Sequence, residues 1–275
     1  MVRKLIFLMS FVLILIVANN ALYAQGYVWT GEGLDGMWNN GLNWDQGTVP
    51  SHLSGDVGLS DRTYGNLITI PTGYTADCTF GNEYGTIFGP EFGMNLDIYG
   101  GLTYKWYMAA VADMDGGLGR PDPTVINMFD GSSIFGAEGI AIGDTWWYSG
   151  GPYVTLNMYG DASADLNWMW IGGHLNMYGG TMDISGGVAM SGLIADSLIQ
   201  MDVYEGTMIL PDAFTGTVND WISRGILKAY GGAGNILIDT EVNPGRTTVT
   251  AEIPEPATLT LLGLGGLALI RRKRS

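Results

Sequence analysis

The sequence predicts an all-β fold for the body of the chain, a right-handed parallel β-helix or a related β-solenoid. The body is rich in Gly, Met and aromatic residues and poor in the helix formers Lys and Glu. Apolar and polar residues alternate over short segments, which is the pattern of strands. A six-residue phrase also recurs along the chain, and recurrence at intervals of about 20 to 50 residues is typical of solenoids.

The recurring phrase reads apolar, Asn or Asp, apolar, aromatic, and then a pair that contains Gly. Its copies are Leu96–Gly101, Ile126–Gly131, Leu156–Asp161, Leu175–Gly180, Met201–Gly206 and, in a weaker form, Leu227–Gly232. The aromatic residues of successive copies lie 30, 30, 19, 26 and 26 residues apart. Such unequal steps predict irregular rungs, in which insertions leave the coil as loops.

Each copy is predicted to form one strand and one corner of a rung. In the copy that begins at Leu175, Leu175 and Met177 face the interior, whereas the alternate residues face outward. The glycine pair that follows permits a corner, and a second strand such as Thr181–Ile184 comes after it. Stacked rungs would bury the inward residues and align Asn and Asp side chains into ladders. A β-sandwich is the alternative arrangement of these strands.

The first residues have the layout of a secretory signal peptide. Arg3 and Lys4 precede an apolar stretch over 5–18, and small residues follow up to Ala24. We therefore predict a signal peptide over 1–24, its cleavage after Ala24 by signal peptidase, and export of the remaining chain.

A Trp-rich segment over 25–60 is predicted to form the N-terminal end of the folded part. Trp29, Trp38 and Trp44 are separated by Gly and Asn, and three large rings in a short span favour a hydrophobic cap on the first rung. Display of these rings for stacking on sugars is the alternative. The segment resembles the opening of exported passenger proteins that place a Trp-rich strand-loop segment before a β-solenoid.

We predict solenoid repeats over 61–216 and a capping module over 217–252. Thr217–Gly225 has polar residues at its start, an acid, then a base, and Gly at its end, which is the pattern of a short helix. A cap of this kind covers the backbone groups that an open end would expose. The stretch over 207–250 resembles the closing module of planctomycete-type exported surface proteins, a family with no assigned chemistry.

The end of the chain combines a short motif, an apolar run and a basic stop. Pro254, Glu255 and Pro256 precede an apolar run over 257–270, and the basic stop consists of Arg271, Arg272, Lys273 and Arg274. As a hydrophobic helix the run would measure about 21 Å, short of the hydrocarbon core of about 30 Å. The basic stop would stay on the cytoplasmic side, which leaves the body outside the membrane. A plain C-terminal tail anchor is the alternative.

In the sequence and order of their three parts, residues 253–275 resemble the PEP-CTERM sorting signal of Gram-negative bacteria. The resemblance implies that an exosortase, which is a membrane protease-transpeptidase, recognises Pro254–Pro256 and processes the tail. It further implies a transient intermediate in the inner membrane and a final location at the cell surface or outside the cell. Signal peptidase and exosortase are therefore the expected processing partners.

The charge distribution argues against nucleic acid as a partner. All 27 acidic residues lie between Glu32 and Glu255, whereas six of the 12 basic residues belong to the two signals. Phosphate binding needs clustered Lys and Arg, and the basic residues that remain in the body are not adjacent to one another. Solubility accounts for most of the acidic surface, and binding of divalent cations is the alternative.

Asp113 and Asp115 resemble half of a calcium loop, which makes them the candidate metal ligands of the sequence. Because the third side-chain ligand and the distal Glu are missing, a solvated turn is the favoured interpretation. No cofactor is expected. The lone Cys78 is expected to be a small core residue.

Two aromatic clusters are the candidate binding surface, namely Trp146, Trp147 and Tyr148, and further along the chain Trp168 and Trp170. Aromatic faces stack on the apolar faces of sugar rings, and the wall of a solenoid presents rings from neighbouring rungs as a platform. The alternative, packing within and between rungs, is favoured because large aromatic side chains mostly pack.

The expected function is that of a non-enzymatic exported surface or matrix protein, an acidic rod with exopolysaccharide as its candidate ligand. A β-helix glycoside hydrolase is the first alternative, although the sequence singles out no pair of carboxylates. Lyase chemistry needs basic residues to stabilise its intermediate, and those of the body are few and scattered. A lectin-like carbohydrate-binding β-sandwich is the second alternative.

Overall fold

The structure of the protein is a computed structural model. It describes residues 26–50, 58–59, 67–78, 86–88, 95–104, 107–110, 124–143, 154–190 and 198–253. The signal peptide predicted over 1–24 and the sorting tail beyond Ile253 lie outside these residues.

The described residues are mostly strands. In chain order the strands are β1 (Tyr27–Val28), β2 (Gly58–Leu59), β3 (Leu67–Ile70), β4 (Thr75–Cys78), β5 (Thr86–Phe88), β6 (Asn95–Ile98), β7 (Gly101–Tyr104), β8 (Tyr107–Ala110), β9 (Thr124–Met128), β10 (Ser133–Ile142), β11 (Val154–Met158), β12 (Ser163–Ile171), β13 (His174–Met177), β14 (Thr181–Met190), β15 (Gln200–Val203), β16 (Thr207–Pro211), β17 (Leu227–Ala229), β18 (Asn235–Asp239) and β19 (Arg246–Glu252).

Helical structure is short where the structure describes the chain. One α-helix, α1, spans Thr215–Ser223, and 3-10 turns span Gly41–Asn43, Asp212–Phe214 and Tyr230–Gly232. Within the described residues, no helix has the length and apolar character needed to cross a membrane.

The strands form two sheets whose neighbours are parallel except at the C-terminal end. Sheet 1 has the order β1-β3-β6-β9-β11-β13-β15-β17. Sheet 2 has the order β18-β19-β16-β14-β12-β10-β8-β5-β2, and β7 joins β4 to β10. From β9 to β16, consecutive strands fall alternately in the two sheets, so the chain winds as a coil. The predicted parallel β-solenoid is confirmed, and an antiparallel β-sandwich is not what the described strands form.

Successive copies of the phrase lie directly over one another. Leu156 of β11 pairs with Leu175 of β13 on one side and with Ile126 of β9 on the other. The connection before β11 spans 143–153, whereas the connection before β13 spans 172–173. The register is nevertheless the same, because most of the difference in length lies in the connections between rungs.

Alternate residues of each strand build the interior. In β11, Val154, Leu156 and Met158 are buried, whereas Thr155 and Asn157 between them are partly exposed. Burial of an apolar side chain of this size contributes about 1.5–3 kcal/mol, so the core is the main source of stability. Cys78 of β4 also lies in this core, as predicted, and burial raises the pKa of its thiol.

The polar residues of the phrase form a hydrogen-bonded amide ladder on the outer face of sheet 1. Asn127 Nδ2 donates to Asp97 Oδ1 at 2.8 Å, and Asn157 Nδ2 donates to Asn127 Oδ1 at 2.9 Å. Asn176 Nδ2 donates in turn to Asn157 Oδ1 at 2.9 Å. All three donors point towards the N-terminal end of the coil, where Asp97, which only accepts when ionised, ends the row. The ladder that the repeats predict is therefore present.

The Trp-rich segment closes the N-terminal end. β1 pairs with β3, and Met37 forms a parallel bridge with Asp77 of β4, so this segment makes the first turn of the coil. Trp29, Trp38 and Trp44 are buried, and their ring centroids lie 4.5, 5.0 and 6.4 Å apart. Because the rings are 2% exposed or less, they pack against one another and offer no open face to a sugar.

Helix α1 lies at the opposite end of the coil. It begins at Thr215 rather than at the predicted Thr217, and Arg224 follows its last residue. Gly225 adopts a φ of 71°, a conformation that glycine takes readily where a helix ends. Arg224 Nη1 lies 2.9 Å from the Asp220 carboxylate, which gives an ion pair one turn apart near the helix end.

The antiparallel hairpin of β18 and β19 extends sheet 2 beyond its last parallel strand, a feature that the sequence did not predict. Arg246 of β19 fastens it to the coil. Its Nε donates to the Leu210 carbonyl oxygen at 3.1 Å, its Nη2 donates to the Ile184 carbonyl oxygen at 2.9 Å, and the same nitrogen bonds the Asp183 carboxylate. One guanidinium thus connects β19 with β14 and β16.

The amide ladder predicts a specific loss of stability. Asn157→Ala removes one donor and one acceptor from the middle of the row, so we expect the free energy of unfolding to fall by about 1–3 kcal/mol in chemical denaturation. Asn157→Asp keeps the shape but loses the donor to Asn127, and it should also destabilise. Thr155→Val, two residues earlier on the same face, is the control, and a loss as large as that of Asn157→Ala would contradict the role of the ladder.

Candidate functional site

The structure places two of the predicted site residues on the outer wall of sheet 2. Trp168 and Trp170 both belong to β12, whose inward residues Leu166 and Met169 are buried. The other aromatic cluster, the half calcium loop, the sorting motif and the basic stop lie outside the described residues, and they comprise Trp146, Trp147, Tyr148, Asp113, Asp115, Pro254, Glu255, Pro256, Arg271, Arg272, Lys273 and Arg274.

A shared irregularity in the sheet aims Trp168 outward. The register between β10 and β12 shifts between Gly136 and Gly139, and the register between β12 and β14 shifts between Leu166 and Trp168. Bulges of this kind re-aim a side chain and bend the strand locally. Trp168 consequently follows the partly buried Asn167 on the outer side and is 38% exposed.

Small residues flank both indoles on the neighbouring strands. Trp168 pairs with Gly139 of β10 and with Gly187 of β14. Trp170 lies between two alanines in the same way, because it pairs with Ala141 and Ala189. We call Trp168, Trp170 and these four small residues the Trp168 shelf.

The glycines let the Trp168 ring approach the sheet. A Cβ atom on Gly187 would come within 2.8 Å of the Trp168 ring and within 2.8 Å of the Phe214 ring. A Cβ atom on Gly186 would lie 2.7 Å from Trp168 Nε1. Real side chains do not tolerate such contacts, so the indole rests on backbone that only glycine leaves bare.

The two indoles stack on each other. Their ring centroids lie 6.0 Å apart with an interplanar angle of 28°, and Trp168 remains 38% exposed. Exposed aromatic surface next to polar groups is typical of binding sites. Ser185 Oγ, which donates to the Leu166 carbonyl oxygen at 3.4 Å and lies 3.4 Å from Asn167 Oδ1, brings hydroxyl and amide groups to its edge.

Two carboxylate side chains lie side by side next to the shelf. Asp165 of β12 pairs in register with Asp183 of β14, so both project from the same face of the sheet, whereas the two carboxylates of a glycoside hydrolase flank the bond that is cleaved. Asp183 is also engaged by Arg246, and Asp165 is exposed. No group of three or more metal-ligating residues occurs among the described residues.

The aromatic residues of the phrase form a stacked ladder on sheet 1, next to the amides. Successive ring centroids lie 4.4, 5.5, 5.0 and 4.7 Å apart and the rings are nearly parallel, from Tyr99 through Phe129, Tyr159 and Tyr178 to Tyr204. The last step, to Tyr230, is edge-to-face at 5.6 Å. Because each ring face covers its neighbour, the ladder offers ring edges rather than faces to solvent, and its role is packing between rungs.

The ladder shifts the titration of its phenols. Burial, together with the neighbouring Tyr178 and Asp97, raises the pKa of Tyr159. Burial also raises the pKa of Tyr204, and the adjacent Asp202 carboxylate adds to the shift. Asp202 is itself buried, and it accepts from Tyr204 Oη at 3.2 Å and from the Gly231 backbone N–H at 3.0 Å.

These raised values predict a loss of stability in alkali. The unfolded chain loses phenolic protons from about pH 10, before the folded chain does, so stability is complete below that pH and falls as the pH rises through the raised pKa values. Tyr159→Phe combined with Tyr204→Phe should flatten the dependence of the unfolding free energy on pH above about 10. Tyr74→Phe, at an exposed tyrosine outside the ladder, is the control, and equal flattening by both would contradict the assignment.

The comparison with protein families identifies the C-terminal end. The PEP-CTERM protein-sorting motif matches residues 252–274, and it therefore begins at Glu252, the last residue of β19. No curated protein and no solved structure is similar to the chain. The motif implies an exported protein that exosortase sorts. The chain thus carries a PEP-CTERM sorting motif at its C-terminal end, which confirms the resemblance found in the sequence.

Proposed function

We propose that the chain is a non-enzymatic structural protein of the cell surface or extracellular matrix, and that it binds exopolysaccharide through the Trp168 shelf. The observation that carries the proposal is the PEP-CTERM motif over 252–274, attached directly to a parallel β-solenoid. Export and sorting follow from the motif. A coil whose described residues show no recognisable catalytic pair is suited to a structural role.

The route to the surface uses both ends of the chain. Signal peptidase removes 1–24 as the chain crosses the inner membrane, and the apolar run of the tail then holds the protein there briefly. Because the motif starts where β19 ends, exosortase meets its recognition sequence right beside the folded cap. Processing at Pro254–Pro256 delivers the coil to the cell surface or the surrounding matrix.

Binding of a polysaccharide is supported by the geometry of the Trp168 shelf. The Trp168 indole rests on glycine backbone and keeps 38% of the residue exposed, which leaves aromatic surface for the apolar face of a sugar ring. Asn167 and Ser185 lie where they can bond hydroxyl groups. The aromatic ladder of sheet 1 is not part of the proposed site, because its inner rings stack on a neighbour on both sides, whereas Trp168 stacks on one described neighbour, Trp170.

Sorting by exosortase can be tested with substitutions in the motif. Replacement of Pro254, Glu255 and Pro256 by alanine should leave a full-length tail in the inner membrane of a host that has the sorting machinery, because the recognition sequence is gone. Cell fractionation and intact-protein mass spectrometry measure the outcome. Glu241→Ala, which removes one exposed carboxylate elsewhere, should be processed normally. Normal processing of the triple variant would refute this route.

Binding of a polysaccharide can be tested with a substitution in the Trp168 shelf. Trp168→Ala should weaken retention of the full chain in affinity gels that contain hydroxyethyl cellulose or exopolysaccharide of the producing cells, on the order of tenfold in dissociation constant, or about 1.4 kcal/mol. The matched control is Leu42→Ala, which trims a 66% exposed apolar residue at the other end of the coil. Unchanged retention of Trp168→Ala on a polysaccharide that the wild type binds would place the site elsewhere.

A further inference from the structure

The two ends of the solenoid differ in how they protect their strand edges. At the N-terminal end the terminal strands β1 and β2 have two residues each, and the buried Trp cluster closes the coil. At the C-terminal end, sheet 2 finishes in β18, which has five residues and pairs with β19 along one edge. Very short terminal strands are a common protection against unwanted pairing. β18 is longer and lacks this protection.

β18 also lacks several other features that keep edges from pairing. Its sequence contains no Lys and no Pro, and its register with β19 runs without a shift from Asn235 to Asp239. Leu237 in the middle is 42% exposed. Ile236 and Ile238 pack against the core but are only partly buried, so the core stops at this strand without being fully covered.

The sequence of β18 is nearly symmetric about Leu237. It reads Asn-Ile-Leu-Ile-Asp. If two copies pair antiparallel with Leu237 opposite Leu237, each Ile236 lies opposite Ile238 of the other copy. Each Asn235 amide then lies opposite an Asp239 carboxylate, to which it can donate. Every position of the strand therefore meets a matching residue.

Hydrogen bonds within its own turn position the Asp239 carboxylate as an acceptor. Its Oδ1 accepts from the backbone N–H groups of Glu241 at 2.7 Å and Val242 at 2.9 Å. These hydrogen bonds, that of Val242 first, lower the pKa of the carboxyl group, so it is ionised at neutral pH. The other carboxylate oxygen is available for the Asn235 amide of a second copy.

We infer that the protein forms a two-fold dimer in which β18 of one copy pairs antiparallel with β18 of another, so that sheet 2 continues from one solenoid into the next. The contact is isologous, and each copy uses its single β18 edge in it, so the assembly closes at two copies and does not grow into a filament. The Trp-capped ends point away from the contact.

Sedimentation equilibrium of the full chain in a density-matched non-ionic detergent tests the dimer. We expect a concentration-dependent dimer for the wild type. Leu237→Lys should give a monomer, because it places two like charges opposite each other at the two-fold axis. Val242→Lys adds the same charge at a 63% exposed residue just after β18, and it should remain dimeric. Asn235→Lys, which would face Asp239 of the other copy, should tighten the dimer.

Cysteine cross-linking tests the register independently. Leu237→Cys should form an intermolecular disulfide under mild oxidation, because the two substituted positions face each other, whereas Val242→Cys should not. The native Cys78 does not compete, since it is buried and its thiol pKa is raised. Circular dichroism verifies that each variant retains its strands.

A wild type that is monomeric at all concentrations would overturn the inference. The inference would also be overturned if Leu237→Lys and Val242→Lys dimerised to the same extent. That result would mean that the tails associate within the micelle. If the chain paired through Leu237 only after removal of residues 254–275, the tail would be the segment that covers β18. That result would also exclude a dimer of the full chain. None of these outcomes depends on the Trp168 shelf.

Discussion

Parallel pairing between equivalent residues of successive turns is the constraint on which the rest of this structure depends. When Leu156 lies over Leu175 and Asn157 over Asn176, the core, the amide ladder and the aromatic ladder all follow at once. A slip of one residue would turn each buried residue outward, because side chains alternate with a period of two. The buried column therefore fixes the register, and the register in turn places each outward amide against the next.

The fold was predictable to the extent that it repeats. The alternation of Leu175 and Met177 with polar residues gave their orientation correctly, and the second strand of that copy does begin at Thr181. The full length of β14, which continues past Ile184 to Met190, was missed because Ser185-Gly186-Gly187 has the composition of a turn. Pairing with β12 across the shared irregularity overrides that local preference.

The pairing of the C-terminal hairpin with β16 escaped prediction for a different reason. β19 pairs antiparallel with β16, which is distant in sequence, so no local pattern records that contact. The same holds for the Trp168 shelf. The sequence pointed to Trp168 and Trp170 as rings on a wall, but that Gly139 and Gly187 lie beside Trp168 is a consequence of register. The phrase likewise placed its aromatic residue on the outer side without indicating that the rings would cover one another.

The order of strands in sheet 2 fixes how far the shelf stands from the tail. From β12 the sheet continues through β14 and β16 to β19, three steps of about 4.8 Å each, or about 14 Å in all, and the tail departs from the end of β19. A polymer bound at the shelf would thus lie within a few strands of β19, the strand that leads into the sorting motif. The buried Trp cluster lies at the opposite end of the coil.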